Sequence, residues 1–128
     1  MDFNKYNTSF DIDKFLERSQ ESEKQRLEQE LDQIRTQLEN RKELHEETVE
    51  ELETKQDWYV ERLNKLYTRG IGKQGERQNL KNRIEQIYRS IREEKRNHWL
   101  DCSKLRKEKR EIQRSIDEIK EDLWKELL

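Results

Sequence analysis

The three glycines of the chain, Gly70, Gly72 and Gly75, all fall within six residues, and the chain contains no proline. Glycine ends helices because it adopts positive φ readily and loses more backbone entropy than other residues when a helix orders it. On both sides of this cluster, apolar residues recur at helical spacing. The sequence therefore predicts two long helices joined by a single turn.

The chain divides into four segments by this pattern. They are an aromatic-containing N-terminal segment 1–10, a first coiled-coil helix 11–67, a basic glycine-containing turn 68–78 and a second coiled-coil helix 79–128. Thr8, three residues before Asp11, resembles a capping box that uses Asp in place of Glu or Gln. Helices of such ordinary propensity need packing to be stable. We therefore predict an all-α fold, a long antiparallel two-helix coiled-coil hairpin.

Composition limits what this hairpin can enclose. Hydrophobic residues make up 29% of the chain and charged residues 45%. A narrow apolar stripe buries one seam, whereas an enzyme pocket needs concave walls several elements thick. Further apolar residues fall outside the seam, namely Leu44, Val60, Trp99 and Leu100. They favour a homodimer in which two hairpins form a four-helix bundle.

The seam follows an 11-residue step in part of each helix. Leu16, Leu27, Leu38, Val49 and Val60 keep this step in the first helix, and Leu80, Ile91 and Cys102 keep it in the second. Such a step shifts the heptad phase. Pairing Leu66 with Leu80 sets 44–49 opposite 97–102, so both helices shift phase at one level. In this register four aromatic residues are expected to fill the seam: Trp58, Tyr59, Tyr67 and Tyr88.

Charge also favours pairing within the chain. Residues 11–67 carry 17 acidic and 10 basic side chains, a net charge of −7, and residues 79–128 carry 11 acidic and 14 basic, a net charge of +3. Charges that flank a coiled-coil seam help to set the choice of partner helix.

The turn contains a G-x-G-x-x-G pattern at residues 70–75. A dinucleotide site needs a strand before this pattern, and here a helix precedes it, so a hairpin tip is favoured. The tip carries basic residues every four positions, which are candidate phosphate-binding residues: Arg69, Lys73, Arg77 and Lys81. Nucleic-acid binding through the tip and the second helix is therefore the alternative function, although such runs are usually solvated faces that pair with a neighbouring helix.

His45, His98 and Cys102 fall at the level where the phase shifts, with position 45 expected near 101. His98 and Cys102 share a helix face, and a third ligand across the seam would suit zinc. Structural zinc, however, prefers four ligands. A polar layer that fixes the register is the favoured interpretation, and we predict no metal and no cofactor.

The open end of the hairpin, opposite the glycine turn, is rich in apolar side chains. The candidate partner-binding residues there are Phe3, Tyr6, Phe10, Ile12, Phe15, Leu16, Leu123, Trp124, Leu127 and Leu128. Exposed apolar patches mark interaction sites. The alternative is that the N-terminal segment folds over and caps this end itself.

Function and location follow from these features taken together. Nothing in the sequence resembles a catalytic constellation, and no apolar run approaches the length of a membrane span. The single Cys102 is consistent with a reducing compartment, and residues 1–10 lack the features of a secretion signal. We therefore predict a soluble intracellular module, structural or adaptor in role, that binds protein partners and not a small-molecule substrate.

Overall fold

A computed structural model describes residues 11–70 and 74–127, except for the side chains of 126 and 127. Helix α1 spans Ile12–Arg69 with 58 residues, and helix α2 spans Gln74–Leu127 with 54 residues. The two helices pack against each other as a hairpin, which confirms the predicted fold. Dimerisation into a four-helix bundle stays a prediction.

Asp11 caps the start of α1. Its Oδ1 accepts hydrogen bonds from the backbone N–H groups of Asp13, at 3.0 Å, and Lys14, at 3.3 Å. These N–H groups have no acceptor within the helix, so the carboxylate stabilises the first turn. Thr8, the residue expected to take part in the cap, lies outside the described residues.

Of the two glycines that the structure describes, the one at the end of α1 adopts a left-handed conformation. Gly70 has a φ of 62° and follows the last residue of α1. Helix α2 begins at Gln74, five residues before the boundary drawn from the sequence, and includes Gly75 in its first turn. Glu76 in that turn lies close to the positive end of the helix dipole, which favours an early start.

One compact unit comprises residues 1–36 and 105–128. Its core consists of Leu27, Leu31 and Ile116, and Ile112 and Ile119 pack against them. Ile116 is only 1% exposed, the lowest value in the core. These positions follow the alternating steps of three and four residues that keep side chains on one face of a helix.

A second compact unit comprises residues 37–104. Leu80, Ile91 and Cys102 are buried in it, as the 11-residue step of the second helix predicted. In the first helix the 11-residue step does not predict burial at both of its ends. Val60 is exposed, and so is Leu16, which belongs to the other unit. Near Val60 the partly buried positions are 56, 59, 63 and 66, which keep heptad spacing and leave position 60 beside the seam.

Candidate functional site

Two stacked histidines form the centre of a polar layer in the seam of unit 37–104. The rings of His45 and His98 lie 4.0 Å apart between centroids, with 11° between their planes. The Cys102 Sγ lies 3.6 Å from Nδ1 of His98, and Cys102 is 4% exposed. The structure thus brings together the three residues singled out for this layer. His45 stacks on His98, about one turn from the expected position 101.

Three charged residues that the seam pattern did not single out complete the layer. Arg41 donates a hydrogen bond through Nε to Oδ2 of Asp101, at 2.9 Å, and its Nη1 lies 2.8 Å from Oε1 of Glu94. His45 Nδ1 lies 3.3 Å from the same Glu94 oxygen. The side chains of Arg41 and Glu94 are 14% and 18% exposed. Charge therefore crosses the seam in a largely covered place.

The surroundings of Glu94 keep it ionised. Burial works to raise the pKa of its carboxyl group, but the hydrogen bonds with Arg41 and His45 act in the opposite direction and leave the pKa below its usual value. The carboxylates of Glu94 and Asp101 accept hydrogen bonds from Arg41 and raise the pKa of its guanidinium. A carboxylate that contacts both the guanidinium of Arg41 and the imidazole of His45 favours one register of the helices, because a slip would leave its charge uncompensated.

The sequence carried a signal for Arg41 and Glu94 that apolar periodicity could not reveal. Arg41 stands four residues before His45, and Glu94 four residues before His98. Both positions therefore continue the buried face of their helix. Charged residues at such positions indicate a pair across the seam.

Metal binding by this layer has no geometric support in the described part of the chain. No group of three or more His, Cys, Asp or Glu residues there is arranged to hold a metal ion. The two imidazoles stack face to face, whereas shared coordination needs ring nitrogens that converge on one point.

Three of the four aromatic residues expected to fill the seam lie outside it, so that prediction is wrong for them. Trp58, Tyr67 and Tyr88 are each about half exposed, and only Tyr59 is partly buried. Tyr59 occupies a seam position, while Trp58 precedes it and projects to the side. A basic side chain lies near two of these exposed rings. The Arg62 guanidinium is 5.6 Å from the centre of the Trp58 ring, and the Arg92 guanidinium is 5.8 Å from the centre of the Tyr88 ring.

The basic residues of the tip gather round one tyrosine. The Arg77 guanidinium lies 4.9 Å from the centre of the Tyr67 ring, and the Lys81 ammonium 5.4 Å from it. Arg69 is exposed at the end of α1. Lys73 lies outside the described residues. Two of the four candidate phosphate-binding residues, Arg77 and Lys81, thus lie beside the same aromatic ring, that of Tyr67 on α1.

At the open end, apolar side chains remain in contact with solvent. Ile12, Phe15 and Leu16 on α1 and Trp124 on α2 are exposed, and Leu123 is partly buried. Phe3, Tyr6, Phe10 and Leu128 lie outside the described residues, as does the side chain of Leu127.

Residues 1–128 match a family described as a family of unknown function (DUF8104). The chain belongs to this family. The match covers the whole chain, so both helices, the polar layer and the exposed aromatic residues all lie within the region that matches the family. No curated protein and no solved structure matches the chain.

Neither helix of this DUF8104 protein, over the residues that the structure describes, has an apolar stretch able to cross a membrane. One of its surface grooves is lined by Glu47, Glu50, Glu51, Thr54 and Lys55. All five residues belong to α1, so this groove runs along a single helix.

Proposed function

We propose that this protein is a non-enzymatic structural or adaptor module, which forms a homodimer and presents its open end to a further protein partner. The observation that carries the proposal is the exposure of its largest apolar side chains. Trp58, Trp99 and Trp124 are 55%, 65% and 64% exposed. Tryptophan is enriched at the centres of protein interfaces, because burying its large ring there stabilises a complex strongly.

A second copy of the chain is the partner proposed for the exposed apolar side chains at the level of Leu44 and Trp99. These residues directly precede His45 and follow His98, whose rings stack, so they lie at one level of the hairpin. Leu44 and Trp99 are both more than half exposed, and Leu100 is nearly so. Two hairpins that joined here would form the four-helix bundle expected from the composition.

The open end is proposed as the surface for a different protein. Ile12, Phe15 and Trp124 are each more than half exposed and belong to the same compact unit. Apolar patches rimmed by charged residues are typical of such interaction surfaces. The neighbouring Glu121 and Lys125 pair with each other and are exposed, as expected of a polar rim.

The absence of catalysis and an intracellular location are further parts of this proposal. The surface grooves support the first: the groove beside Glu47 is formed by α1 alone, and another lies over the seam at Leu31 and Ile116, so a molecule bound in either stays in contact with water, where active-site electrostatics are weak. The buried, unpaired thiol of Cys102 supports the second, since a reducing compartment keeps cysteines in that form.

Two matched double variants test the proposal, with sedimentation velocity at micromolar concentration for self-association and a pull-down for capture of the partner. Leu44→Ser with Trp99→Ser should convert the dimer to a monomer. Ile12→Ser with Trp124→Ser should leave the dimer intact and abolish capture of the partner identified with the wild-type chain. Circular dichroism should show unchanged helicity in both. A monomeric wild-type chain would contradict self-association, and unchanged capture by the second variant would contradict the role of the open end.

A further inference from the structure

In unit 37–104, the residues that directly follow certain seam positions form a stripe of exposed side chains along α1. The partly buried positions 45, 52, 59 and 66 are seven residues apart, and the exposed residues Glu46, Glu53, Val60 and Tyr67 follow them. Seven residues make nearly two turns of helix, so these four side chains lie in line, about 100° round α1 from the seam positions. The stripe is apolar near the turn and acidic further from it.

Helix α2 carries a matching stripe. Its covered positions 80, 87 and 94 directly precede the exposed residues Lys81, Tyr88 and Lys95. Trp99, which is 65% exposed, projects within about 20° of Tyr88, because the two are 11 residues apart. The Lys81 ammonium lies 5.4 Å from the centre of the Tyr67 ring on α1. This contact places the two stripes on one side of the seam, and the surface that they form together is called the aromatic side below.

The opposite side of the same seam is polar. There the flanking side chains directly precede the covered positions 49, 56 and 63 of α1 and 84, 91 and 98 of α2. They are Thr48, Lys55, Arg62, Arg83, Ser90 and Asn97. In a four-helix bundle, the positions beside the seam of one helix pair face the second pair. Apolar side chains at such positions on one side only therefore indicate the side that a second pair covers.

The two helices carry opposite charge at one level of this unit. Residues 43–57 contain seven acidic residues and one basic residue, a net charge of −6, whereas residues 86–100 contain four basic and two acidic, a net charge of +2. The stack of His45 on His98 sets these two stretches level with each other. Charges beside a helical seam set both the partner and its orientation, so the occupant of the aromatic side should offer a basic helix to α1 and an acidic helix to α2. A second copy of this chain offers both.

We propose that a second copy of this chain packs on the aromatic side, with the glycine turns of both copies at the same end. The inference rests on the self-association proposed above and names its interface. A twofold axis parallel to the helices keeps every residue at its own level and brings α1 of each copy beside α2 of the other. The reverse orientation would bring α1 beside α1 and α2 beside α2, so like charges would meet.

Four charged residues would pair across this interface. Glu46 and Glu53 of one copy lie at the levels of Lys95 and Arg92 of the other, and all four are exposed. Within the described residues, none of the four has an ion pair in its own chain. Because the axis is twofold, the same contacts occur twice in the dimer.

Charge reversal on either helix tests the interface, with the dissociation constant of the full chain measured by sedimentation equilibrium at physiological salt. Glu46→Lys with Glu53→Lys, and separately Arg92→Glu with Lys95→Glu, should each weaken self-association about tenfold, because like charges then meet at both contacts. An equimolar mixture of the two variants should recover the wild-type affinity to within about threefold, because both contacts of the mixed dimer again join opposite charges. Damage within a single hairpin could not be repaired by mixing.

Two controls separate the aromatic side from the rest of the surface. Glu47→Lys with Glu51→Lys makes the same change of charge on exposed residues that project about 100° or more from the α1 stripe, and it should weaken self-association less than about threefold. Trp99→Ser should weaken self-association about tenfold, since a large ring leaves the interface. Leu44→Ser should have little effect, because Leu44 projects about 160° from Val60.

The outcomes distinguish this interface from self-association as such. A monomeric wild-type chain would overturn both. A wild-type dimer that both charge-reversal variants retain at unchanged affinity would overturn the interface alone, and so would variants that the mixture does not rescue. A mixed dimer that associates more tightly than the wild type, with neither variant weakened alone, would establish the reverse orientation. Equal losses from Leu44→Ser and Trp99→Ser would remove the assignment to the aromatic side.

Discussion

At the scale of single residues, the contact between Arg41 and Glu94 differs from the other ion pairs of the hairpin. Most of those join residues three or four apart on one exposed helix face, as Lys125 and Glu121 do. Arg41 and Glu94 join the two helices where both side chains are more than four-fifths covered. Exposed pairs contribute roughly 0–1 kcal/mol, while removing one member of a covered pair leaves the other charge without compensation.

Glu94→Gln is therefore expected to lower the free energy of unfolding by about 1–2 kcal/mol. The amide keeps the shape of the side chain but loses the charge that Arg41 and His45 contact. Glu121→Gln is the matched control, because its partner Lys125 is exposed, and it should change stability by less than about 0.5 kcal/mol. Urea unfolding followed by circular dichroism measures both. Equal effects in the two variants would mean that the polar layer adds nothing to stability.

The same Glu94→Gln variant should show when the charge matters. The pKa of Glu94 is lowered in the folded protein, so its contribution is fully present above the pKa of an unfolded glutamate, about 4.3. It is lost as pH falls through the lower folded value. The gap in stability between wild type and variant should therefore be open from about pH 5 to 7 and narrow as pH falls below the pKa of an unfolded glutamate, about 4.3, towards the lower pKa of the folded protein. A gap that did not change with pH over the acid range would contradict the role of the carboxylate charge.

At the scale of the helices, the glycines of the turn have unequal roles. Gly70 has a positive φ, which a side chain strains whatever space surrounds it, whereas Gly75 lies within α2 and a Cβ there would meet open space. The sequence presented these residues as members of one cluster. The structure gives Gly70 a left-handed conformation and makes Gly75 a helical residue of low propensity, while Gly72 lies outside the described residues.

Two alanine substitutions should consequently have opposite signs. Gly70→Ala should destabilise the hairpin by about 1–2 kcal/mol through strain at positive φ. Gly75→Ala should stabilise it by about 0.5–1 kcal/mol, because it lowers the entropy of the unfolded chain without a clash. Thermal unfolding of the two variants, recorded at one protein concentration, gives both changes. A stabilising Gly70→Ala would show that the reversal does not depend on the left-handed conformation.

At the scale of the whole molecule, the hairpin has more apolar side chains than its one seam can bury, so many of them are exposed. The buried cluster of the unit formed by 1–36 and 105–128 contains three residues, Leu27, Leu31 and Ile116. Several larger side chains remain in solvent, including all three tryptophans. Burial of such side chains against a second copy would stabilise the folded state, because folding and association would then be coupled.

This coupling predicts that the melting temperature depends on protein concentration. For a dimer that dissociates as it unfolds, each tenfold increase in concentration adds about 1.4 kcal/mol, which raises the midpoint by about 2–3 °C for two chains of this length. Differential scanning calorimetry from 5 to 500 μM covers two such steps. The Leu44→Ser and Trp99→Ser double variant should have a midpoint that does not change with concentration. A constant midpoint in the wild type would contradict an obligate dimer.

The hairpin itself could be predicted from the sequence because its signals are local. Helical spacing, the absence of proline and one glycine cluster act over a few residues at a time. The polar layer was predictable in part, since His45, His98 and Cys102 stand where the apolar repeat is interrupted. Arg41 and Glu94 were missed because a search for apolar periodicity passes over charged residues at the same positions.

Only the tertiary structure decided which residues meet across the seam. His45 stacks on His98 and not on position 101, and Arg41 contacts both Glu94 and Asp101. Successive residues of a helix point about 100° apart, so a small change in axial rotation or register transfers a side chain from the seam to the surface. Trp58 and Tyr67 are exposed for this reason. The sequence by itself determined the two helices and the place of their reversal, whereas the pairing of side chains depended on the packed arrangement of both helices.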